Sequence, residues 1–415
     1  MSDPTRVLLL TPQTPYPPDQ GAPIRNFAFV RYLGSNLRYE LSLLTFARPG
    51  EDPEKSPARA VLKEYCRNLT LVPHPPARSK PARIAALATS RQPDLTRRLA
   101  SPLFEAALLS LLRAEKFDVI QCEGLEMAPF LLDQLIKLPQ KPRLVLDEHN
   151  AEYLMQRRIF ENDWQAGWKR RPAALYSLLQ ARRLARYETA SLAAFDRVIA
   201  VSEADRQALA KLGPARNPLI VIPNAIDLVE FSPSDGEGLE QPDTLVFTGT
   251  MDFRPNIDAV SWFAREVWPL VRAARPQARF LIVGRRPAPE VEVLKELPGI
   301  IVTGEVPDAR PYIRQSSLYV VPMRMGGGVR YKVLEALAMG KAVVSTTMGA
   351  DGINLEAGRE AVIAPENSQE FSQAILTLLA DPARRAALGK QGRTFVESHF
   401  DWRNIVPQID SVLLK

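Results

Sequence analysis

Residues 322–345 read Pro322-Met-Arg-Met-Gly326-Gly-Gly-Val-Arg330-Tyr-Lys332-Val-Leu-Glu335-Ala-Leu-Ala-Met-Gly340-Lys-Ala-Val-Val-Ser345. An apolar run from Leu318 to Met323 leads into this stretch and predicts a buried parallel strand. Three glycines then hand over to a helix that Gly340 stops, and Ala342–Thr346 predicts the next strand. A strand that passes into a helix through Gly326–Gly328 gathers free backbone N–H groups and a positive helix end at one place. That place suits a phosphate. Glu335 is expected two turns inside the helix, on the face of Gly328 and Val329, where a carboxylate accepts bonds from sugar hydroxyls. The combination points to a nucleoside diphosphate lying along a helix end.

Outward from this segment, strand-like apolar runs alternate with helical patterns along the chain, the pattern of parallel βαβ units. Seven runs fall in the first half, at 6–11, 39–46, 68–72, 117–122, 143–147, 197–201 and 219–222. Six fall in the second half, at 244–249, 278–283, 300–303, 318–323, 342–346 and 361–364. The fold class expected is α/β, with two doubly wound sheets in series. The polar, acidic stretch 231–243 is rich in Gly and Pro and reads as the linker. The expected organisation is therefore a first domain over 1–230, the linker, a second domain over 244–390, and a terminal helical segment over 391–415. Ligands of doubly wound sheets bind beyond the carboxyl ends of the strands, so a cleft between two such domains is the expected site.

Composition narrows the function classes. The 415 residues are 46% hydrophobic and 24% charged, values of a soluble globular protein. No apolar stretch reaches the roughly 18–20 residues of a membrane span, and no signal-peptide pattern opens the chain. Cys66 and Cys122 lie in separate apolar surroundings, and a reduced cytosolic protein is expected. Three histidines, with no Cys or His cluster at ligand spacing, argue against a structural zinc; no metal or other cofactor is expected. Net charge is +6, and residues 1–200 carry +8 against −2 for the remainder. The excess sits in 75–98 and 157–187, where Arg and Lys mix with Ile84, Leu87, Trp164, Trp168 and Leu178. Such basic amphipathic segments favour an anionic membrane surface or a polyanion, and a solvated helix face is the simpler reading.

The loops after the strands carry the remaining candidates. After the first strand, a proline-rich turn reaches Gly21 and a helix with Arg25; glycine admits a substrate to the backbone and Arg25 can meet an anion. After the fifth, Asp147-Glu-His149-Asn150-Ala-Glu152 sets a histidine beside carboxylates, placed for proton transfer or for holding a sugar hydroxyl. The second half opens with Gly249-Thr250-Met-Asp-Phe-Arg254-Pro-Asn256, where Asn256 is expected to cap a helix starting near Ile257. Gly284 and the loop Gly304-Glu-Val306-Pro could border a flat base.

Taken with Val201-Ser-Glu-Ala-Asp-Arg206, Val221-Ile-Pro-Asn-Ala-Ile-Asp227, Gly304-Glu-Val-Pro-Asp308, Leu334-Glu335-Ala336 and Gly349-Ala-Asp-Gly352, the chain resembles a GT-B glycosyltransferase of the family 4 (group 1) type over nearly its whole length. The Gly-Gly-Gly-x-Arg-x-Lys variant is similar to a subgroup of sugar transferases found with bacterial exopolysaccharide and sorting gene sets. The resemblance implies two Rossmann-like domains facing across a cleft, with a UDP- or GDP-sugar on the second and an acceptor on the first. It implies that Glu335 grips the ribose hydroxyls, that amides of Gly327, Gly328 and Val329 meet the diphosphate, with Gly326 also on the donor side, and that Val306 borders the base. His149 would contact the transferred sugar, with Gly21, Arg25 and Asn150 on the acceptor side. The terminal segment would cross back to the first domain.

Two positions depart from the family pattern. The first of its paired glutamates falls on Gly327, and the Arg and Lys that clamp the diphosphate fall on Thr250 and Pro255. Arg254, Arg330 or Lys332 is expected to replace that charge, Arg330 first, since a guanidinium at the glycine turn takes two phosphate oxygens. For Lys332 the simpler role is an (i, i+3) pair with Glu335. No Asp-x-Asp motif occurs, so hexosyl transfer without a required metal is expected, with retention of configuration implied by the resemblance. The expected partners are a nucleotide sugar and a lipid-linked or glycan acceptor, with the protein cytoplasmic or peripheral at the inner face of the cytoplasmic membrane. A nonhydrolysing nucleotide-sugar epimerase and a non-catalytic sugar-nucleotide or nucleic-acid binder are the alternatives; the first needs more acid/base groups than His149 supplies.

Overall fold

In the computed structural model, which describes residues 3–19, 21–132, 141–165, 167–233, 240–326 and 329–414, thirteen strands form, each within two residues of an apolar run read from the sequence. The first seven are β1 (Thr5–Thr11), β2 (Tyr39–Phe46), β3 (Asn68–Val72), β4 (Val119–Glu123), β5 (Arg143–Glu148), β6 (Arg197–Ala200) and β7 (Ile220–Val221). They make one parallel sheet in the order β3-β2-β1-β4-β5-β6-β7. The others are β8 (Thr244–Thr248), β9 (Arg279–Val283), β10 (Ile300–Gly304), β11 (Leu318–Val321), β12 (Val343–Ser345) and β13 (Val362–Ile363). These make a second parallel sheet, β10-β9-β8-β11-β12-β13.

Parallel sheets covered by helices bury both strand faces, so their strands read as continuous apolar runs instead of alternating ones. Val7-Leu8-Leu9-Leu10 and Leu318-Tyr319-Val320-Val321 are wholly buried, as that rule requires. Each sheet has its own core: Leu8, Leu44, Phe46, Phe104 and Ile120 belong to one, and Phe247, Phe263, Phe280, Val320 and Leu334 to the other. In both sheets the strand order reverses beside the first strand, between β1 and β4 and between β8 and β11. Ligands of such sheets bind outside the carboxyl ends at that switch point.

The chain divides into a first unit of residues 1–223 with 406–415, and a second unit of 224–405. The boundaries read from composition were 231–243 and 391, and the differences have local causes. Ile226 already pairs with the second unit, accepting the Trp402 N–H and donating its own to Phe400 O, so the chain changes unit before the Gly- and Pro-rich stretch. Residues 234–239 of the expected linker lie outside the described residues. At the other end, the Pro382–His399 helix stays with the second unit, where Arg393 donates to Phe231 O at 2.8 Å. Only from Val406 does the chain join the first unit, where Asp410 accepts from Tyr32 Oη at 2.9 Å and Arg143 Nη1 donates to Leu413 O at 3.0 Å. Among the described residues no helix is long and apolar enough to cross a membrane.

Candidate active site

In the second unit the carboxyl ends of the first three strands are bare of side chains. Gly249, after β8, donates to Val283 O at 3.0 Å, and Gly284, after β9, donates to Gly304 O at 3.3 Å. A methyl group on Gly284 would lie 1.7 Å from the Gly249 carbonyl oxygen, so the two strand ends approach as only glycine allows. One on Gly249 would meet Asn256 Nδ2 at 2.7 Å and Lys332 Nζ at 2.9 Å. Backbone groups at such ends are open to a flat or anionic ligand.

Two helices deliver polar groups to the same place. The Arg254–Trp262 helix begins at Arg254 with Pro255 in its first turn, so Asn256 is not the helix cap that the sequence reading expected. It lies inside the first turn, buried; its Nδ2 donates to Thr250 O at 2.9 Å and its Oδ1 accepts from Lys332 Nζ at 2.8 Å. The Tyr331–Ala338 helix begins at Tyr331, because Arg330 is extended (φ −86°, ψ 99°). Val329 therefore precedes the helix, and Glu335 sits just over one turn inside it, on the face of Tyr331. Lys332 reaches away from that helix to Asn256, with its ammonium 3.9 Å from the centre of the Phe247 ring, instead of closing a local pair with Glu335.

The half-buried Lys332 and Glu335 are tuned in opposite senses. Burial, reinforced by the Arg330 charge, lowers Lys332 to about 7 against the pull of Glu335. Burial raises Glu335 to about 7, with Lys332 opposing and Glu230 adding to the rise. Groups poised this way gain or lose a proton when a charged ligand arrives.

The other second-unit candidates fall around this centre. Arg330 lies over Gly326, where a Cβ would come within 2.6 Å of its Nη2, and Gly326 holds φ +115°. Val329 packs against the core of the unit, and Val306 does so from the loop after β10. Gly327 and Gly328 lie outside the described residues. Arg254 is exposed at the start of its helix, on the opposite side of Pro255 from Asn256 in sequence.

In the first unit the carboxyl ends of β4 and β5 carry a buried acid–base network. Arg25 is buried and holds Asp147 through both oxygens, Nε to Oδ2 at 2.6 Å and Nη2 to Oδ1 at 3.0 Å, while Nη1 donates to Pro223 O at 3.0 Å. The guanidinium that the sequence reading directed at an incoming anion thus already holds a protein carboxylate. His149 Nε2 bonds Glu123 Oε2 at 3.1 Å, and Asn26, with its amide nitrogen turned toward Glu123, donates to the same oxygen at 2.8 Å. Gln121 Nε2 holds the other Glu123 oxygen. Burial disfavours a charged imidazole, yet the Glu123 hydrogen bond and the charges of Asp147 and Glu123 outweigh it, and His149 titrates above its ordinary value. Burial and then Asp147 push Glu123 up, against His149 and Arg25. An imidazole backed by a carboxylate and open at one edge is a proton-handling group held in one orientation.

Glu123, Asp147 and His149 offer cation-ligand atoms within 4.8 Å of one another, the one such trio among the described residues. Their facing atoms are committed to Arg25, Asn26, Gln121 and each other, so the local charge is balanced by protein groups. Asn150 turns to Glu152, donating at 3.2 Å, and Gly21 is the exposed first residue of the Gly21–Ser35 helix. A separate cavity of about 950 Å³ opens at the opposite, amino ends of β4–β6, beside Asp118, Arg143 and Arg197, away from these groups.

Sequence reasoning passed over Glu123, Gln121, Asn26 and Glu188. Glu123 closes β4 before a glycine, the same strand-end signal that marked Asp147 and His149. Asn26 and Glu188 sit within helices, where a single polar residue carries no positional signal.

Two units, each a doubly wound parallel sheet with its polar groups at the switch-point ends, define the GT-B class of fold. The chain belongs to glycosyltransferase family 4: the profile described as Glycosyltransferase Family 4 matches residues 21–230, and that described as Glycosyl transferases group 1 matches residues 242–381. It is 28% identical over 214 residues to a GDP-mannose-dependent monoacylated alpha-(1-6)-phosphatidylinositol monomannoside mannosyltransferase of Corynebacterium glutamicum, covering 46% of this chain and 55% of that protein. The chain thus matches about half the length of that relative. Among solved structures it is similar to a sucrose-phosphate synthase from Thermosynechococcus elongatus (TM-score 0.70, 19% identity, 98% of both chains). It is also similar to Anabaena Alr3699/HepE in complex with UDP and glucose (TM-score 0.65, 16% identity, 98% of this chain and 99% of that one).

Proposed function

We propose that this chain transfers a hexosyl group from a nucleoside diphosphate sugar to an acceptor hydroxyl in the synthesis of a cell-surface glycan, exopolysaccharide or glycolipid. The observation that supports this reading most directly is the convergence of Lys332, Asn256 and Gly249 at the switch-point strand ends of the second unit, with the Glu335 charge acting on Lys332. That unit holds the donor. Glu335 accepts the ribose hydroxyls, Val306 borders the base, and Lys332 with Arg330 meets the diphosphate. Lys332 supplies the cation missing at Thr250 and Pro255. It takes precedence over Arg330, because its ammonium is held beside the bare end of β8.

Charge on the departing diphosphate is the physical problem of the reaction, and preorganised cations and N–H donors are its solution. The bond from the sugar C1 to the β-phosphate oxygen breaks as the acceptor oxygen bonds to C1. The acceptor proton passes to the departing phosphate, with retention of configuration. His149 attends the transferred sugar, and Gly21 and Asn150 serve the acceptor. Arg25 acts as a positioning residue, through Asp147. Since protein cations carry the leaving-group charge, transfer is expected to persist in the presence of a chelator. A lipid-linked or membrane glycan acceptor places the protein at the inner face of the cytoplasmic membrane.

The test is a thermal-shift screen of UDP, GDP and ADP with their common sugars, repeated on Glu335→Ala. GDP-mannose and UDP-glucose come first, since one relative is named as GDP-mannose-dependent and the Anabaena protein is seen with UDP. The expected result is one nucleotide raising the melting temperature, with the rise lost in the variant. No rise with any nucleotide at saturation overturns the proposal.

A further inference from the structure

The Glu152–Gln165 and Arg171–Ala194 helices of the first unit pack along each other, and their connection passes through Gly167 and the short turn Trp168–Arg170. That end of the pair exposes large apolar side chains which the core does not use. Trp168 is 73% exposed, Leu175 55% and Trp164 45%. The Lys80–Thr89 helix is tied to the same pair, through Arg83 Nη2 to Tyr176 Oη at 3.3 Å and Arg183 Nη2 to Leu87 O at 2.6 Å, and it adds Ile84, 64% exposed.

Cations frame these side chains. The Arg171 guanidinium lies 5.2 Å from the Trp164 ring centre and the Lys169 ammonium 5.9 Å from that of Trp168. Residues 157–187 hold eight Arg or Lys against Glu161 and Asp163, a local excess of +6 that equals the net charge of the whole chain. Glu161 is spent on Arg157 at 3.0 Å, and Asp163 is buried, so neither acid is offered to the outside near the tip.

We infer that the Trp164–Leu175 end of this helix pair, with Ile84 beside it, is an interfacial anchor that seats the first unit on an anionic lipid bilayer. Indole rings prefer the headgroup level, where the ring is in apolar surroundings and the N–H stays wet. Leu175 and Ile84 gain from contact with acyl chains, whereas a nucleic acid has stacking surfaces for the indoles and nothing for two aliphatic side chains. The flanking Arg and Lys side chains meet lipid phosphates while their stems cover apolar surface. This inference rests on the reading of a membrane-borne acceptor for its purpose, and on the surface alone for its physics.

The experiment uses the full chain with phosphatidylcholine vesicles, with and without phosphatidylglycerol, followed by flotation and by quenching of Trp fluorescence with bromine-labelled acyl chains. Binding to the anionic vesicles, quenching of the indoles and loss of binding at raised salt are expected. Arg170→Gln with Arg171→Gln should weaken binding by about 30-fold, from roughly fivefold per cation at an anionic surface. Trp164→Ser with Trp168→Ser should abolish the quenching. Both variants alter surface positions, and an unchanged nucleotide-induced melting shift shows each to be folded. Equal binding of variants and wild type, equal binding to neutral and anionic vesicles, or capture by single-stranded DNA in place of vesicles overturns the inference. Because no donor is present in the flotation assay, its failure leaves the nucleotide screen to judge the transferase reading separately.

Discussion

Lys332 Nζ donates to Asn256 Oδ1 at 2.8 Å, joining the first turns of two helices that begin 77 residues apart, at Arg254 and Tyr331. The bond holds the ammonium against Phe247 and beside the end of β8. If the second unit holds the donor as proposed, the protonation of Lys332 is expected to govern nucleotide binding. With Lys332 lowered to about 7, the cation needed for a diphosphate is lost as pH rises above that value. With Glu335 raised to about 7, the carboxylate needed for ribose hydroxyls is lost as pH falls below it. Nucleotide affinity is therefore expected to peak near neutrality. In titrations by calorimetry, Lys332→Met should remove the alkaline fall and Glu335→Gln the acid fall. If both variants keep the wild-type profile, these side chains do not touch the donor.

Gly249 and Gly284 are expected to fail in different ways. A methyl on Gly284 meets backbone, the Gly249 carbonyl at 1.7 Å, so strand ends must part. Gly284→Ala should cost about 1–3 kcal/mol of stability, the usual range for overpacking. A methyl on Gly249 meets the side-chain tips of Asn256 and Lys332, which can yield. Gly249→Ala should remain folded and lose nucleotide affinity, because the ammonium is driven from its seat. Denaturant titration and calorimetry on the two variants separate these outcomes, and equal stability losses would contradict the contrast.

His149 belongs to the first unit, and the nucleotide contacts assigned here belong to the second. His149→Ala should lower kcat by about 100-fold or more, the scale of a lost proton-handling group, while the nucleotide dissociation constant stays unchanged. Removing Arg25 acts on the same imidazole from behind. Its charge opposes the His149 cation, so Arg25→Met should raise the histidine's titration point further. The same change strands a buried Asp147 and should cost about 3–5 kcal/mol of stability. NMR titration of the imidazole and a melting curve read the two effects independently; a lowered titration point would refute the assignment.

What was legible in the sequence follows the physics of parallel sheets. Strands buried on both faces are continuous apolar runs, so runs such as 6–11 and 318–323 announced β1 and β11, and the polar residues just beyond them announced the sites. Pairings between distant residues left no such trace. Arg25 meets Asp147 across 122 positions, and nothing local distinguishes an arginine bound to a protein carboxylate from one awaiting a ligand. Asn256 looked like a cap because Asn often is one, but the helix starts at Arg254, three residues earlier than expected, and the Asn256 side chain meets Lys332 instead. The change of unit at Pro223 was hidden for a related reason. Composition marks where a chain is solvated, whereas the boundary depends on where Ile226 finds its backbone partners.

One more pairing of this distant kind makes a prediction about the whole first unit. Glu148 ends β5 wholly buried, and its carboxyl group meets that of Glu188, wholly buried on the Arg171–Ala194 helix. Glu188 accepts the N–H groups of Glu152 at 2.7 Å and Tyr153 at 3.1 Å, which makes it the first of the two to ionise as pH rises, at the amino end of a helix. Glu148 therefore keeps its proton to higher pH than Glu188. Burial, then the charge of Glu188, with Glu152 and Asp205 adding, holds Glu148 well above the ordinary carboxyl range. Burial also pushes Glu188 up to about 8. In the unfolded chain both titrate near about 4.3. The folded chain thus binds more protons than the unfolded one across that window, and its stability falls as pH rises, by about 1.4 kcal/mol per pH unit for each extra proton. The stabilisation is complete below about 4.3 and fades as pH climbs through about 8. Glu148→Gln keeps an N–H to donate and removes the titration, so its melting temperature should decline less steeply than that of the wild type between those limits. Parallel curves would mean that the two carboxyl groups do not share a proton.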